Sequence, residues 1–127
     1  MSTLKVNTLE EATSGGATYF TAKVWCTWQG TGTVSIDDDG NVSSVTDEGT
    51  GKYRANFSNS LSHANYATMG AAAKTDANDD GNANAQFNGN GNGDTNPNTT
   101  SKTHIRHTYN STTTLADSGK LTLAVIL

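Results

Sequence analysis

The stretch Phe20-Thr21-Ala22-Lys23-Val24-Trp25-Cys26-Thr27-Trp28 decides the fold class. Phe20, Ala22, Val24, Cys26 and Trp28 recur at every second position, the period of a half-buried β-strand, so they share one face and that face belongs to a core. Trp25 points the other way, with Lys23 and Thr27. A large aromatic on a nominally wet face calls for a second layer or a partner chain to cover it. Cys26 falls within the apolar alternation and is expected inside; as the single cysteine it forms no intrachain disulfide.

Outward from this strand the pattern repeats in short pieces. Gly30-Thr31-Gly32 breaks the chain and Thr33-Val34-Ser35-Ile36 begins a second strand. Asp38-Asp39-Gly40-Asn41 supplies residues that tolerate positive φ and predicts a hairpin. Val42 to Thr46 resumes as strand, Asp47-Glu48-Gly49-Thr50-Gly51 turns, and Lys52-Tyr53-Arg54-Ala55-Asn56-Phe57 alternates with Tyr53, Ala55 and Phe57 on one side. The order reads as a meander. Asn65 to Ala73 is a further strand of low propensity, because Ala67, Gly70, Ala71, Ala72 and Ala73 are small, with a short helix as the alternative. His104 to Tyr109 and Lys120 to Leu127 form the last two strands, joined across a turn near Ala116-Asp117-Ser118-Gly119. The final strand becomes wholly apolar, so its end is expected to be buried on both faces.

Between Thr75 and Ser101 lies a biased segment containing Asn88-Gly89-Asn90-Gly91-Asn92-Gly93, expected to be a loop because only Phe87 offers apolar area against the ordering entropy. Within it, Asp76-Ala77-Asn78-Asp79-Asp80-Gly81 matches the opening of a calcium loop, whose alternating oxygens converge on a hard cation. The bidentate acid is missing, since Phe87 occupies the twelfth place. A solvated loop is the favoured reading and no metal site is assigned.

The 127 residues fit one domain. Leu, Ile, Val and Phe make up about 15% of the chain, and charged residues 16% against roughly 25% in ordinary domains, so the core is lean and the surface polar but weakly charged. A net charge of −4 with eight Lys plus Arg lacks the basic footprint that nucleic-acid binding needs; Lys102 and Arg106, beside His104 and His107, are too few. No stretch reaches the ~18 apolar residues of a membrane helix, and the N-terminus has no apolar signal core. Catalysis finds no support either. There is no G-x-S-x-G, and His104 and His107 lie on opposite faces of one strand and cannot chelate a metal together. The chain is therefore expected to be an all-β, non-enzymatic protein without cofactor. Its fold is expected to be a compact antiparallel β-sandwich or barrel over residues 17–127, including the Asn/Gly-rich loop 75–101. Residues 1–16 precede it as an arm, whose Thr3-Leu4-Lys5-Val6 strand is placed to pair with an exposed sheet edge on a neighbour.

Several stretches resemble a family of bacteriophage virion proteins, the tail-fibre and related appendage proteins of aquatic phages. They are Ser2-Thr3-Leu4-Lys5-Val6-Asn7-Thr8, then Lys23-Val24-Trp25-Cys26-Thr27-Trp28-Gln29-Gly30-Thr31-Gly32-Thr33-Val34, then Asn41 to Phe57 and Ala64-Asn65-Tyr66. The resemblance covers roughly residues 2 to 70. Members of that family normally have a residue other than Cys at position 26 and Phe where Trp28 stands, and both changes suit core packing. The resemblance implies a compact β-domain assembled as a homotrimer, often at the end of a longer fibre. No fibrous repeat precedes the module here, which favours a short appendage or a capsid-decorating (cement) protein. The implied partners are further copies of the chain and either the major capsid protein or a tail component. Thr3, Leu4, Lys5, Val6 and Trp25 are the candidate contacts, and the implied location is the virion, after synthesis in the host cytoplasm. A receptor-binding tip that turns the 75–101 loop toward host glycans is the second reading. A hydrolytic enzyme is a remote third.

Overall fold

A computed structural model describes residues 2–3, 22–73, 83–86, 98–109 and 115–127. Among them run eight strands and no helix: β1 Ala22–Gln29, β2 Ser35–Gly40, β3 Val42–Gly49, β4 Lys52–Phe57, β5 Ala67–Ala73, β6 Ala83–Gln86, β7 Lys102–Tyr109 and β8 Lys120–Ile126. They form two four-stranded sheets with orders β2-β1-β8-β5 and β3-β4-β7-β6. Every pairing is antiparallel. The sheets pack face to face as a β-sandwich, the architecture anticipated from the alternation.

The core follows the period-two patterns with one correction: Ala22, expected on the core face, is exposed at a register shift between Ala22 and Val24, and Phe20 lies outside the described residues. Val24, Cys26 and Trp28 of β1, Tyr53 and Ala55 of β4, and Leu121 and Val125 of β8 have no exposed surface. Ile105, Leu123, Val42, Phe57 and Leu61 complete the cluster. The Trp28 and Tyr53 rings meet edge to face across the two sheets, centroids 5.9 Å apart at 68°, a geometry that adds to simple burial. The end of β8 departs from expectation. Val125 is buried, but Ala124 and Ile126 are only half-buried because their face is the outer surface of the first sheet, while Leu127, also half-buried, packs against the core.

The topology is not a meander. Gly40-Asn41 was expected to close a hairpin, yet β2 and β3 lie in different sheets and the single residue Asn41 separates them. Asn41 has φ 63°, so the positive-φ signal was real but serves a corner that hands the chain from one sheet to the other. Its amide fixes that corner. Nδ2 donates to the carbonyls of Lys23 (3.2 Å) and Asn59 (3.1 Å), while Oδ1 accepts from the Asn59 backbone N–H at 2.7 Å. The predicted turn at Asp47 to Gly51 does join β3 to β4, with Gly49 and Gly51 at positive φ. The connection from β7 to β8, read as a simple turn, also crosses between sheets.

Part of the Asn/Gly-rich stretch is strand. Ala83–Gln86 pairs with β7 at the edge of the second sheet, in the register Ala83↔Tyr109 to Gln86↔Arg106. Its Ala-Asn-Ala-Gln alternation is too short to stand out in sequence. Asp76 to Gly81 of the calcium-like motif and the Asn88–Gly93 run lie outside the described residues. Tyr66, half-buried and tilted against Phe57, holds the approach to β7, with its hydroxyl 2.8 Å from the Lys102 carbonyl and 3.1 Å from that of Thr99.

Candidate functional site

The outer face of the first sheet is built by register alone. Trp25 pairs with Gly40 of β2 on one side and with Ala124 of β8 on the other. Ala124 in turn pairs with Met69 of β5. One row, Gly40–Trp25–Ala124–Met69, therefore crosses all four strands. Trp25 is 40% and Met69 51% exposed, the large apolar side chains that stand out to solvent among the described residues. Ala67, Ala71 and half-buried Ile126 flank the row on the same face. The result is an apolar row with Ala124 between two large side chains, bordered on one side by the more polar row Asp38–Thr27–Thr122–Ala71.

Gly40 explains the posture of Trp25. A Cβ at Gly40 would run into the indole nitrogen and stand 2.7 Å from Cδ1, so the ring lies across the glycine backbone. Such aromatic cover of a strand glycine fixes the ring and shields the edge of the sheet. Trp25 is thus an exposed aromatic held in one place, the kind of residue that anchors protein contacts at low entropic cost.

The outer face of the second sheet is polar. Asn56 Nδ2 donates to Ser44 Oγ (2.9 Å) and Thr46 Oγ1 (3.1 Å), forming a ladder across β3 and β4. Pairing of β4 with β7 sets Lys52 opposite Arg106, Arg54 opposite His104 and Asn56 opposite Lys102. Four of the eight Lys and Arg residues are thereby gathered on two strands that are fifty residues apart in sequence, a concentration the linear reading missed. Glu48 sits among them, 2.9 Å from Arg54 Nη1 and 3.0 Å from His104 Nδ1. His104 is only 3% exposed, and its Nε2 has no hydrogen-bond partner among the described residues. His104 and His107 do face opposite ways, but both are buried, His107 with Nδ1 2.6 Å from the Ala116 carbonyl. Among the described residues no three His, Cys, Asp or Glu side chains converge into a metal-binding group.

Of the sequence-derived contacts, Trp25 is exposed as anticipated. Thr3 is exposed and belongs to no strand, while Leu4, Lys5 and Val6 lie outside the described residues. Met69 was not singled out in sequence, although Ala67, Met69 and Ala71 share one face of β5 and Met69 is the one large residue among them. Cys26 is placed in the core, where burial first, and then the charges of Asp39, Asp37 and Asp38, push its thiol up to about 12. It stays protonated and inert at neutral pH. A disulfide reagent at about pH 8 is expected to label no thiol in the native protein and one per chain in denaturant; labelling of the native protein at the free-thiol rate would contradict the placement.

Comparison with known proteins returned no matching family model, no matching curated sequence and no matching solved structure.

Proposed function

We propose that the protein is a structural component of a bacteriophage particle, a homotrimeric capsid-decoration (cement) protein that joins neighbouring shell subunits. The observation that carries this reading is the Gly40–Trp25–Ala124–Met69 row, an apolar strip across all four strands of the first sheet with an exposed aromatic laid over Gly40. A lean core gives a small domain limited stability, and burying this strip against another copy stabilises folding and association together. The resemblance of residues 2 to 70 to phage appendage proteins supplies the setting. A second reading, a tail-fibre tip that contacts host glycans, draws on the Ser44–Asn56–Thr46 ladder, whose hydroxyl and amide groups suit hydrogen bonding to sugars.

Trp25→Ser is expected to reduce the trimer to smaller species by light scattering at micromolar concentration, with the fold retained because the ring lies outside the core. A wild-type protein that is monomeric under those conditions removes the threefold interface. Position in the particle separates the two readings. Labelling over the whole head supports cement, whereas a few copies at the tail transfer the proposal to the fibre.

A further inference from the structure

We propose that β5 is a pairing edge for a second copy of this chain, joined antiparallel across a twofold axis that passes through Gly70. Among the described strands the edges are β2 and β5 in one sheet and β3 and β6 in the other. Natural edges are protected by charge, shortness or cover. β2 carries Asp37, Asp38 and Asp39, and β3 carries Asp47 and Glu48, so each would meet its own copy with like charges face to face. β6 has only four residues. β5 runs for seven residues, Ala67-Thr68-Met69-Gly70-Ala71-Ala72-Ala73, with no charge and no proline. None of the described strands pairs with its outer side.

The backbone direction selects the register. Ala71 N–H donates to Thr122 Oγ1 of β8 at 3.1 Å, and Thr122 Oγ1 donates back to the Ala71 carbonyl at 3.2 Å. The odd-numbered residues therefore direct their peptide groups toward β8, and by alternation Thr68, Gly70 and Ala72 direct theirs outward. A twofold at Gly70 sets Gly70 against Gly70 of the second copy and Thr68 against its Ala72. All three outward residues then fall in hydrogen-bonded pairs, about six bonds in total. It is also the register that overlaps the full strand.

Side chains agree with that register. Met69 of one copy comes to lie beside Ala71 of the other on the outer face, a large residue against a small one in the closely spaced type of pair. Gly70 meets glycine at the axis, where nothing projects. The two first sheets become one continuous sheet, and the contact is isologous, closing as a dimer. It shares Met69 with the strip proposed above to form the threefold interface, but runs along the β5 edge rather than across the sheet face. If both operate, assemblies come in multiples of two trimers; if only β5 does, the protein is a dimer.

The test uses paired cysteines in the full chain. Met69→Cys with Ala71→Cys puts thiols on facing positions, with Cα atoms about 4.5 Å apart, within disulfide range. Mild oxidation is expected to give a covalent dimer, and buried Cys26 does not compete. Met69→Cys alone faces Ala71 and is expected not to link. Equal linking by the single variant, or no dimer from the double one, overturns the proposal. Charge exchange supplies a second measurement. Met69→Lys with Ala71→Lys is expected to weaken dimerisation on the order of tenfold, and Met69→Glu with Ala71→Lys to restore it. All four variants alter exposed positions, so the fold survives; the cross-link reads the β5 register alone, and because both charge variants replace Met69 of the threefold strip, the difference between them reads the β5 contact. Identical sedimentation of the two charge variants overturns it as well.

Discussion

A Gly51→Ala protein is expected to melt roughly 10–20 °C below the wild type, a loss of several kcal/mol from a domain whose whole stability is ~5–15 kcal/mol. Gly51 closes the β3–β4 turn at φ 63°. That conformation alone costs a residue with a Cβ about 1–2 kcal/mol. The surroundings add more, because the new Cβ would stand 2.5 Å from the His107 carbonyl oxygen and 2.7 Å from the Ala116 nitrogen. Both are backbone atoms that cannot swing aside. Nor can the turn retreat, since Gly51 N–H donates to Asp117 Oδ1 at 2.8 Å and its carbonyl accepts from His107 N–H at 2.8 Å. Overpacking of this kind costs about 1–3 kcal/mol beyond the strain. Gly32 is the internal control: it has φ 66°, and among the described residues nothing lies within 4 Å of where its Cβ would stand. Gly32→Ala pays for conformation only, so the difference between the two melting points isolates the contact. Equal melting points would show that the β3–β4 turn yields freely.

The contrast between these two glycines indicates what the sequence could convey. Period-two alternation in β1 and β4 was enough to name Val24, Cys26, Trp28, Tyr53, Ala55 and Phe57 as core, because burial on one face of a strand is a local property. Connectivity is not local. The Gly40-Asn41 signal correctly marked a positive φ, but whether such a residue reverses the chain or passes it to the facing sheet depends on which strands lie beside β1, and β8 comes from the far end of the sequence. The outer faces were legible only where one residue stood out. Trp25 did so by size. Met69 became part of the same strip only once β8 had brought β1 and β5 to its two sides. The cluster of Lys52, Arg54, Lys102 and Arg106 escaped for the same reason, since each strand carries only two of the four. β6 was hidden differently, as four small or polar residues inside a stretch whose composition argues for a loop.

The second large effect is expected at Tyr53, where Tyr53→Phe should cost about 1.5–3 kcal/mol although the ring and its contact with Trp28 remain. The hydroxyl shares its single proton between the Gly30 carbonyl at 2.8 Å and Asp117 Oδ1 at 2.9 Å. Gly30 N–H in turn donates to the Ser118 carbonyl at 3.0 Å, and no side chain fits there because a Cβ would stand 2.6 Å from the Tyr53 hydroxyl oxygen. One phenol thus joins the end of β1, the start of β4 and the approach to β8, across both sheets. Asp117 is exposed, so water screens its share, and the buried Gly30 carbonyl, left without its donor, accounts for more of the loss. A double-mutant cycle with Asp117→Ala is expected to give a coupling of roughly 0.5–1.5 kcal/mol. Alkaline titration provides an independent check. Burial first, and then the hydrogen bond and charge of Asp117, hold the Tyr53 hydroxyl above the ordinary value of 10.0. A raised value means that the folded state favours the neutral phenol, so this contribution is complete below about pH 10 and is lost as pH rises beyond it. Cys26 adds a decline of the same sign from about pH 9 upward. Tyr53→Phe should therefore flatten, without abolishing, the fall of denaturation midpoint between about pH 9 and 11. A variant that falls as steeply as the wild type would mean that the phenol ionises as easily in the folded chain as in the unfolded one, which the enclosure by Trp28, Gly30 and Leu121 does not permit.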